Sequence, residues 1–285
     1  PVRRRAGGDP GVNGFTAEWL ALREPVDAAA RNAEVTAAVQ TWRQRHGPLT
    51  VLDLACGAGA NVRFLAPLLG GEQHWRLVDH DPLLLARGQA LAAGWATPPG
   101  LNLALDWRAV VLAADWARLD FRDRRLVTAS ALLDLVSADW LERLARRCGE
   151  VGAAVCIVLS YDGTLVWEPA LAGDESVRVQ VNRHQRTDKG FGPALGPDAA
   201  VTLAILLRRL GYAVRLRPSP WNLGPEQRAM QTALLEGWVA AVREIAPDRQ
   251  EDLAAWRAQR RRWIEQGESR LRVGHWDLFA GREAF

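Results

Sequence analysis

An apolar run that ends in a glycine turn is the part of this sequence that most constrains its fold. The run from Leu49 to Ala55 is short and partly β-branched, and Cys-Gly-Ala-Gly follows it. A run of this length beside a turn predicts a buried strand of a parallel sheet. Gly57 and Gly59 allow a tight turn and let the backbone approach a ligand closely. The helix predicted from Asn61 to Leu69 would present free amides and a positive potential to that ligand.

Strand and helix patterns alternate after this turn. Short apolar runs predict further strands, and amphipathic periods predict the helices between them. The strands are Trp75 to Val78, Ala109 to Ala113, Leu126 to Ala129 and Ala153 to Leu159, and the helices are Leu83 to Ala96 and Leu132 to Ala145. This alternation predicts an α/β fold with a doubly wound, mostly parallel sheet and helices on both faces.

The C-terminal part of the chain breaks the alternation. A helix is predicted from Ala199 to Leu210 and a strand from Ala213 to Arg217, and about forty residues of helical pattern precede a last strand near Val273 to Leu278. We expect the sixth and seventh strands to pair as a hairpin around this helical insertion, which completes a seven-stranded sheet. An apolar stripe on the insertion predicts core packing or a dimer face, and it comprises Met230, Leu234, Trp238, Val242 and Ile245.

Two acidic residues lie where a ligand at the glycine turn would meet them. Asp53 is inside the first predicted strand, and Asp79 ends the second. A carboxylate beside the turn suits the ammonium group of S-adenosylmethionine better than the pyrophosphate of a dinucleotide. The dinucleotide fingerprint would also place a third glycine three residues after Gly59, where this chain has Val62. Asp79 can accept the hydroxyls of an adenosine ribose, which both cofactor classes contain.

These segments resemble the class I, seven-strand S-adenosylmethionine-dependent methyltransferases of the bacterial small-molecule type. Val51 to Gly59 match the glycine-rich first motif of that family, and Leu77 to Pro82 match its second. The resemblance covers roughly residues 48–162. It implies a Rossmann-like fold that binds S-adenosylmethionine and releases S-adenosylhomocysteine. The cofactor-binding residues that it implies are Asp53, Ala55, Gly57, Gly59, Asn61, Asp79, His80, Asp115, Trp116 and Ser130.

The resemblance also implies a role for several of these residues. Asp53 would lie near the methionine amino group and Asp79 at the ribose hydroxyls. Asp115 resembles the acidic residue that meets the adenine amino group, and Ser130 would line the methionine side. Ala55 stands where the family often has glycine.

Candidate catalytic residues come from two places. The polar segment Asn182 to Pro193 contains His184, a candidate general base, together with Arg186 and Lys189, which could bind an anionic acceptor. A solvated loop is the alternative interpretation of this segment. Asp134 is the other candidate base, because the resemblance places it at the substrate entrance; a locally bonded helix residue is the alternative. No clustered His, Cys or Asp spacing indicates a metal site.

One domain accounts for most of the chain. We expect a flexible arm at residues 1–13 and a single methyltransferase domain at residues 14–285. Within the domain, residues 14–47 form N-terminal helices, residues 48–162 the cofactor-binding core, and residues 163–285 the substrate-side segment, the helical insertion and the last strands. On the first helix, Trp19, Arg23 and Glu24 could belong to a lid over the site or to an ordinary surface helix.

The charge pattern argues against nucleic acid as a partner. The net charge of +3 is a small difference between 36 basic and 33 acidic residues. The arginine runs at residues 3–5 and 260–262 could hold phosphate, but such runs usually face water. The fourth strand leads into Thr128 to Ala131, not into the Asn/Asp-Pro-Pro-Tyr sequence with which amino-methylases hold a flipped base. We therefore predict a small-molecule acceptor.

The cysteines and the hydropathy of the sequence favour one cellular compartment. Cys56, Cys148 and Cys156 form no paired spacing. No apolar run approaches the ~20 residues that span a bilayer, and the first residues lack the apolar core of a signal peptide. We expect a cytoplasmic monomer or homodimer without a membrane partner.

Three functions stay open at this point. In order, they are a small-molecule methyltransferase, a macromolecule (RNA or protein) methyltransferase, and a nucleotide-cofactor oxidoreductase or noncatalytic S-adenosylmethionine-binding module. Binding of S-adenosylmethionine rather than NAD separates the oxidoreductase from the other possibilities.

Overall fold

Helices and strands occur in nearly the predicted order. The computed structural model describes residues 16–283 and residue 285, so the predicted arm at residues 1–13 lies outside the described residues. The strands are β1 (Leu49–Leu54), β2 (Gly71–Asp79), β3 (Leu101–Ala109), β4 (Leu126–Ser130), β5 (Ala154–Glu168), β6 (Ala213–Pro218), β7 (Trp221–Leu223) and β8 (Arg270–Gly281). The helices are α1 (Ala17–Ala30), α2 (Ala33–Gln44), α3 (Ala60–Leu69), α4 (Pro82–Ala93), α5 (Ala138–Val151), α6 (Asp174–Gln185), α7 (Ala199–Arg209), α8 (Arg228–Ile245) and α9 (Gln250–Gln266).

The strands of the described residues form one sheet. Its order is β3-β2-β1-β4-β5-β8-β6, and β7 pairs with β8 beside this path. Strands β1 to β5 run parallel to one another, whereas β8 runs antiparallel to β5, β6 and β7. The doubly wound, mostly parallel sheet is therefore confirmed. It has eight strands within the described residues rather than seven, because the three-residue β7 is too short to give a periodic signal.

Helices cover both faces of the sheet, as predicted. Helices α2, α3 and α4 pack on one face, where Leu65 shares a core with Val51. Helices α5 and α7 pack on the other, where Leu203 shares a core with Leu52. Successive side chains of a strand point to opposite faces. Asp53 therefore faces the same layer as Val51, beneath the start of α3.

A third core lies beyond the parallel part of the sheet. β5 has 15 residues and β8 has 12, and their outer halves continue past the other strands. Together with β7 they pack against α1, α6, α8 and α9. This distal core comprises Tyr161, Leu165, Trp167, Val177, Val181, Trp221, Leu223, Met230, Leu235, Val239, Val242, Leu253, Trp256, Ile264, Leu271 and Val273. Core packing, one of the two predicted roles of the inserted stripe, is confirmed for Met230 and Val242.

The predicted third strand is wrong in position. We expected it at Ala109 to Ala113, whereas β3 ends at Ala109 and a turn occupies the next residues. β3 is the edge strand of the sheet, and none of its nine residues is buried. An edge strand of this kind carries no continuous apolar run, so the buried residues Val110 and Leu112 of the following turn gave the stronger signal.

The region after the fifth strand also differs from expectation. β5 continues to Glu168 and so passes through the predicted limit at residue 162. The polar segment at residues 182–193 begins inside α6 rather than in a loop. Helix α6 has Val177 and Val181 as its buried residues, and this apolar stripe is too narrow to stand out against its polar neighbours.

The described helices include none that could cross a bilayer. No helix in residues 16–283 is both long enough and apolar enough to do so. The longest, α8, has 18 residues and buries one face in the distal core.

The arginine run at residues 260–262 does not behave as a uniformly solvated face. Arg260 is buried and donates to Asp174 Oδ1 at 2.6 Å and to the carbonyl oxygen of Pro169 at 2.7 Å. Its guanidinium lies 5.1 to 6.0 Å from the ring centroids of three tryptophans. Arg261 is half exposed and pairs with Glu265 along the same helix. The expectation of a water-facing run is therefore wrong for Arg260.

We expect Arg260→Ala to lower the free energy of unfolding by about 3–5 kcal/mol, because it leaves the Asp174 carboxylate without its buried partner. The matched control is Arg261→Ala, which breaks an exposed ion pair and should cost less than about 1 kcal/mol. Urea unfolding of both variants, followed by tryptophan fluorescence, measures the difference. Equal losses would show that the Arg260 pair does not stabilise the distal core.

Candidate functional site

Strained backbone marks the carboxyl edge of the sheet. Ala55, Ala131 and Leu159 have φ angles of 50°, 54° and 54°, a left-handed conformation that non-glycine residues rarely adopt. Ala55 follows β1, Ala131 follows β4, and Leu159 lies in the adjacent β5. Such strain costs about 1–3 kcal/mol at each residue and clusters at ligand sites. Open α/β sheets bind their ligands at this edge.

The glycine turn is hydrogen-bonded to Asp79. Gly57 and Gly59 have φ angles of 53° and 80°. The Gly57 amide donates to Asp79 Oδ2 at 2.8 Å, and the Asp81 amide donates to Asp79 Oδ1 at 3.0 Å. His80 is exposed, with its Nδ1 3.2 Å from Asp79 Oδ1. The Asp79 carboxylate therefore joins the end of β2 to the turn after β1.

Asp53 forms a buried polar centre below the turn. Its side chain is fully buried, and the Asn61 amide donates to Asp53 Oδ1 at 2.9 Å and to Thr128 Oγ1 at 3.0 Å. The Thr128 hydroxyl in turn donates to the carbonyl oxygen of Cys156. Asp53 Oδ2 is buried and has no hydrogen-bond partner. Burial raises the pKa of Asp53 to about 7, although the Asn61 hydrogen bond and the charge of Arg31 act in the opposite direction.

Helix α1 covers the glycine turn. A Cβ atom at Gly57 would lie 3.0 Å from Leu20 Cδ1, so the helix approaches the turn closely. Glu24 accepts two hydrogen bonds from Arg63 of α3, and Arg63 also donates to the carbonyl oxygen of Ala58 in the turn. Of the two roles considered for this helix, the contacts favour the lid.

A second polar group lies where β5 and β8 pass into the distal core. This β5–β8 polar cluster comprises Arg23, Asp134, Tyr161, Trp221 and His275, all buried. The Arg23 guanidinium lies 5.0 Å from the Trp221 ring centroid, and the Trp221 and His275 rings are 4.5 Å apart. Burial raises the pKa of Asp134 to about 6, and the charge of Arg23 and backbone hydrogen bonds partly offset this rise. Burial and Arg23 lower the pKa of His275 to about 3.

Two polar atoms in or beside the β5–β8 polar cluster have no hydrogen-bond partner. His275 Nδ1 is buried without a partner, and so is Ser160 Oγ on the same strand as Tyr161. Arg23 donates hydrogen bonds from its Nε and one Nη to the Asp27 carboxylate, at 2.8 and 3.2 Å. Buried polar atoms without a protein partner are rare, and a ligand or an ordered water can satisfy them.

Asp115, Trp116 and Ser130, the weaker predictions, have contacts of their own. The loop after β3 starts beside Asp79, since the Val110 amide donates to the Asp79 carbonyl oxygen. Asp115 in this loop pairs with Arg118. Trp116 stacks on Phe121 and contacts Trp140, and the Arg143 guanidinium lies 4.4 Å from its centroid. Ser130 ends β4.

The polar segment reaches the β5–β8 polar cluster through its first residues. Tyr161 donates to Asn182 Oδ1 at 2.7 Å, and Arg186 donates to the Asn182 carbonyl oxygen. His184 instead lies 3.1 Å from Glu244 of α8, and Lys189 lies 3.4 Å from the His184 ring. The structure thus joins Arg186 to Tyr161 through Asn182, and groups His184 with Lys189 against α8.

Several residues of the site were missed in the sequence. Arg31, Tyr161 and His275 stand in segments with no motif around them. A polar residue inside an otherwise apolar strand was an available signal for His275, as it was for Asp53. For Arg31 no local signal exists, because its partners Asn61 and Asp277 are 30 and 246 residues away in the chain.

Comparison with known proteins identifies the fold. No protein-family model matches this sequence, and no curated protein matches it. The structure of a cyclopropane-fatty-acyl-phospholipid synthase-like protein from Lactobacillus casei aligns over 94% of this chain and 95% of its own, with 15% identity and a TM-score of 0.55. This likeness confirms the predicted Rossmann-like α/β fold.

Other solved structures align over similar lengths. A cyclopropane synthase from Mycobacterium tuberculosis aligns over 93% of this chain and 94% of its own, with 11% identity and a TM-score of 0.49. An S-adenosylmethionine-dependent methyltransferase from Thiobacillus denitrificans, in complex with S-adenosyl-L-homocysteine, aligns over 93% and 98%, with 13% identity and a TM-score of 0.45.

The raised pKa of Asp53 predicts how the stability of the ligand-free protein depends on pH. Below about pH 4 the carboxyl group is protonated in both the folded and the unfolded state, because its ordinary pKa is 3.8. As the pH rises from there to about 7, the unfolded chain ionises first, so Asp53 increasingly favours unfolding. We expect the free energy of unfolding of Asp53→Asn, minus that of the wild type, to rise across this interval.

Urea titrations at several pH values measure this difference. Asp139→Asn, which removes an exposed carboxyl on α5, is the control for the loss of a carboxyl group as such. A flat difference for Asp53→Asn would mean that the Asp53 carboxyl is ionised in the folded protein throughout this range.

Proposed function

We propose that the protein transfers the methyl group of S-adenosylmethionine to a small-molecule acceptor. One observation carries the proposal: Asp53 Oδ2 is buried without a partner, beside a glycine turn that contacts Asp79, at the carboxyl edge of a sheet with the methyltransferase strand order. A fully buried carboxylate oxygen without a partner suits a cationic ligand group, because an unpaired buried charge is costly. The methionine ammonium of the cofactor is such a group.

The residues around the turn have complementary roles in this proposal. Asp53 holds the ammonium group, and the backbone of Ala55, Gly57 and Gly59 with the side chain of Asn61 lines the methionine and ribose path. Asp79 and His80 face the ribose hydroxyls. Asp115 and Trp116 bind the adenine, and Ser130 lines the methionine side. When bound, the cofactor supplies a methyl group on a sulfonium, which is open to in-line displacement.

Asp134 is the proposed general base. It follows β4 at the same edge, and burial raises its pKa to about 6, so near neutral pH it is ionised and can take a proton from the acceptor. A base whose pKa lies near the working pH combines the correct protonation state with sufficient basicity. Tyr161 and the unpartnered His275 Nδ1 can orient the acceptor beside it.

Burial of these groups supports a small acceptor. Asp134, Tyr161 and His275 are each less than a tenth exposed, and α1 lies over the turn beside them. A large folded macromolecule could present only a narrow side chain to such a site. The hydrogen-bonded path from Tyr161 through Asn182 to Arg186 supports Arg186 as an acceptor-side residue. His184 as a base and Lys189 as an acceptor-binding residue stay predictions, because their contacts are with each other and with Glu244 of α8.

Methyl transfer into a metabolite extract tests the whole proposal. The purified protein is incubated with S-adenosylmethionine labelled in the methyl group, and labelled products are resolved by mass spectrometry. Calorimetry with S-adenosylmethionine and with NAD accompanies it. We expect binding of S-adenosylmethionine alone and label in a small molecule. NAD binding would contradict the proposal, and label recovered only in RNA or protein would reassign the acceptor.

We expect Asp79→Ala to weaken S-adenosylmethionine binding by about 1.5–3 kcal/mol, because the ribose hydroxyls lose a charged acceptor in a partly buried site. Asp81→Ala is the matched control. Asp81 caps α4 by accepting from the Leu83 amide, and its substitution leaves the Asp79 side chain in place. Calorimetry gives both affinities. An unchanged affinity in Asp79→Ala would remove Asp79 from the cofactor site.

We expect Asp134→Asn to lower kcat by about 10²–10⁴-fold while leaving S-adenosylmethionine affinity nearly unchanged, because the variant cannot accept a proton. In the wild type kcat should rise with pH through about 6, as the base loses its proton, and this rise should be absent in the variant. Asp139→Asn on α5 is the exposed control. Wild-type kcat in Asp134→Asn would exclude Asp134 as the base.

A further inference from the structure

Arg31 is a buried arginine at the end of the covering helix α1. Its side chain is 5% exposed and its guanidinium lies 4.4 Å from the ring centroid of Phe64 on α3. Arg31 Nη1 donates to Asn61 Oδ1 at 3.0 Å. On its other side, Arg31 Nε lies 3.9 Å from Asp277 Oδ2, an ion pair too long for a hydrogen bond. Arg31 therefore links α1 and β8 to the residue that contacts Asp53.

The bond from Arg31 determines which way the Asn61 amide points. A guanidinium only donates hydrogen bonds, so it requires the oxygen of the amide. The amide nitrogen then faces the opposite side, where it donates to both Asp53 Oδ1 and Thr128 Oγ1. Because the Thr128 hydroxyl donates its own hydrogen to Cys156, Thr128 can only accept from Asn61. The reversed amide would place its oxygen against the Asp53 carboxylate.

The two oxygens of Asp53 differ in their hydrogen bonding in this arrangement. Oδ1 accepts from Asn61, and Oδ2 has no partner. Arg31 cannot neutralise Asp53 completely, because it is shared with Asp277, whose side chain is 1% exposed. Two buried carboxyl groups thus face one buried guanidinium, so an ionised Asp53 is not fully compensated and suits one cationic ligand group.

Asp277 is itself fixed on several sides. Its Oδ1 accepts from the Leu159 amide at 2.8 Å and from the Ser219 hydroxyl, and its Oδ2 accepts from the Asn32 amide at 2.8 Å. The carboxylate that faces Arg31 is therefore fixed from β5, β8 and the start of α2 together. The Arg31 guanidinium lies between this carboxylate and the Phe64 ring, and its hydrogen bond to Asn61 Oδ1 keeps the Asn61 amide in one orientation.

We propose that Arg31 is a positioning residue of the cofactor site: through Asn61 it keeps the Asp53 carboxylate oriented with Oδ2 open to the amino group of the cofactor's methionine part. The inference rests on the proposed function, and it adds a residue outside the motifs that resemble the family. It predicts that Arg31 matters for the amino acid part of the cofactor and not for its nucleoside.

Two ligands separate these parts. S-adenosylhomocysteine carries the amino group, whereas 5′-methylthioadenosine has the same nucleoside and thioether without it. For Arg31→Met we expect affinity for S-adenosylhomocysteine to fall by ~10-fold or more, as is usual when the partner that orients a ligand-binding group is removed, and affinity for 5′-methylthioadenosine to stay within about twofold. Arg31→Lys, which can still donate to Asn61, should recover part of the loss.

The control is Arg217→Met, which breaks an exposed ion pair with Glu34 and should leave both affinities unchanged. Arg31→Met leaves Asp277 without this charge partner. If the loss prevents folding, the affinities for the two ligands are compared in the double variant of Arg31→Met and Asp277→Asn. An equal loss for both ligands, or no loss for S-adenosylhomocysteine, overturns the role of Arg31 while leaving the proposed function intact. A wild-type protein that binds neither ligand overturns both.

Discussion

The antiparallel pairing of β5 with β8 is the interaction on which the rest of the structure depends. The inner halves of the two strands belong to the sheet of parallel strands, and their outer halves contribute side chains to the distal core. The register shifts twice along β5, between residues 157 and 160 and between residues 161 and 165. These irregularities lie on either side of the pair Tyr161–His275, so the register of the two strands shifts at the β5–β8 polar cluster.

Each of the two halves contains a buried arginine with a structural charge partner. Arg260 pairs with Asp174 inside the distal core and satisfies the carboxylate with two short contacts. Arg31 pairs only loosely with Asp277 and contributes a hydrogen bond to Asn61 instead. The first pair satisfies both oxygens of Asp174, whereas beside the second pair Asp53 Oδ2 has no partner. In the proposed function, this difference separates a stabilising buried charge from one that lies beside the cofactor.

Helix α1 connects the glycine turn with the distal core. Leu20 and Glu24 contact the turn side, and Arg23 contacts Trp221 on the distal side. Movement of this helix would therefore change the covering of the turn and the surroundings of Asp134 together. The cofactor and acceptor sides of the proposed site share one lid.

The sequence by itself determined the strand, turn and helix from Leu49 to Leu69, the position of Asp79 and the alternation that selects a doubly wound sheet. These features are local, because a buried parallel strand and a glycine turn need only their own residues to be recognised. The exposed edge strand β3 and the length of β5 were decided by neighbours in the sheet. Only the tertiary structure brought Arg31, His275 and Asp277 to the site, since buried polar groups find partners through packing between segments that lie far apart in the chain.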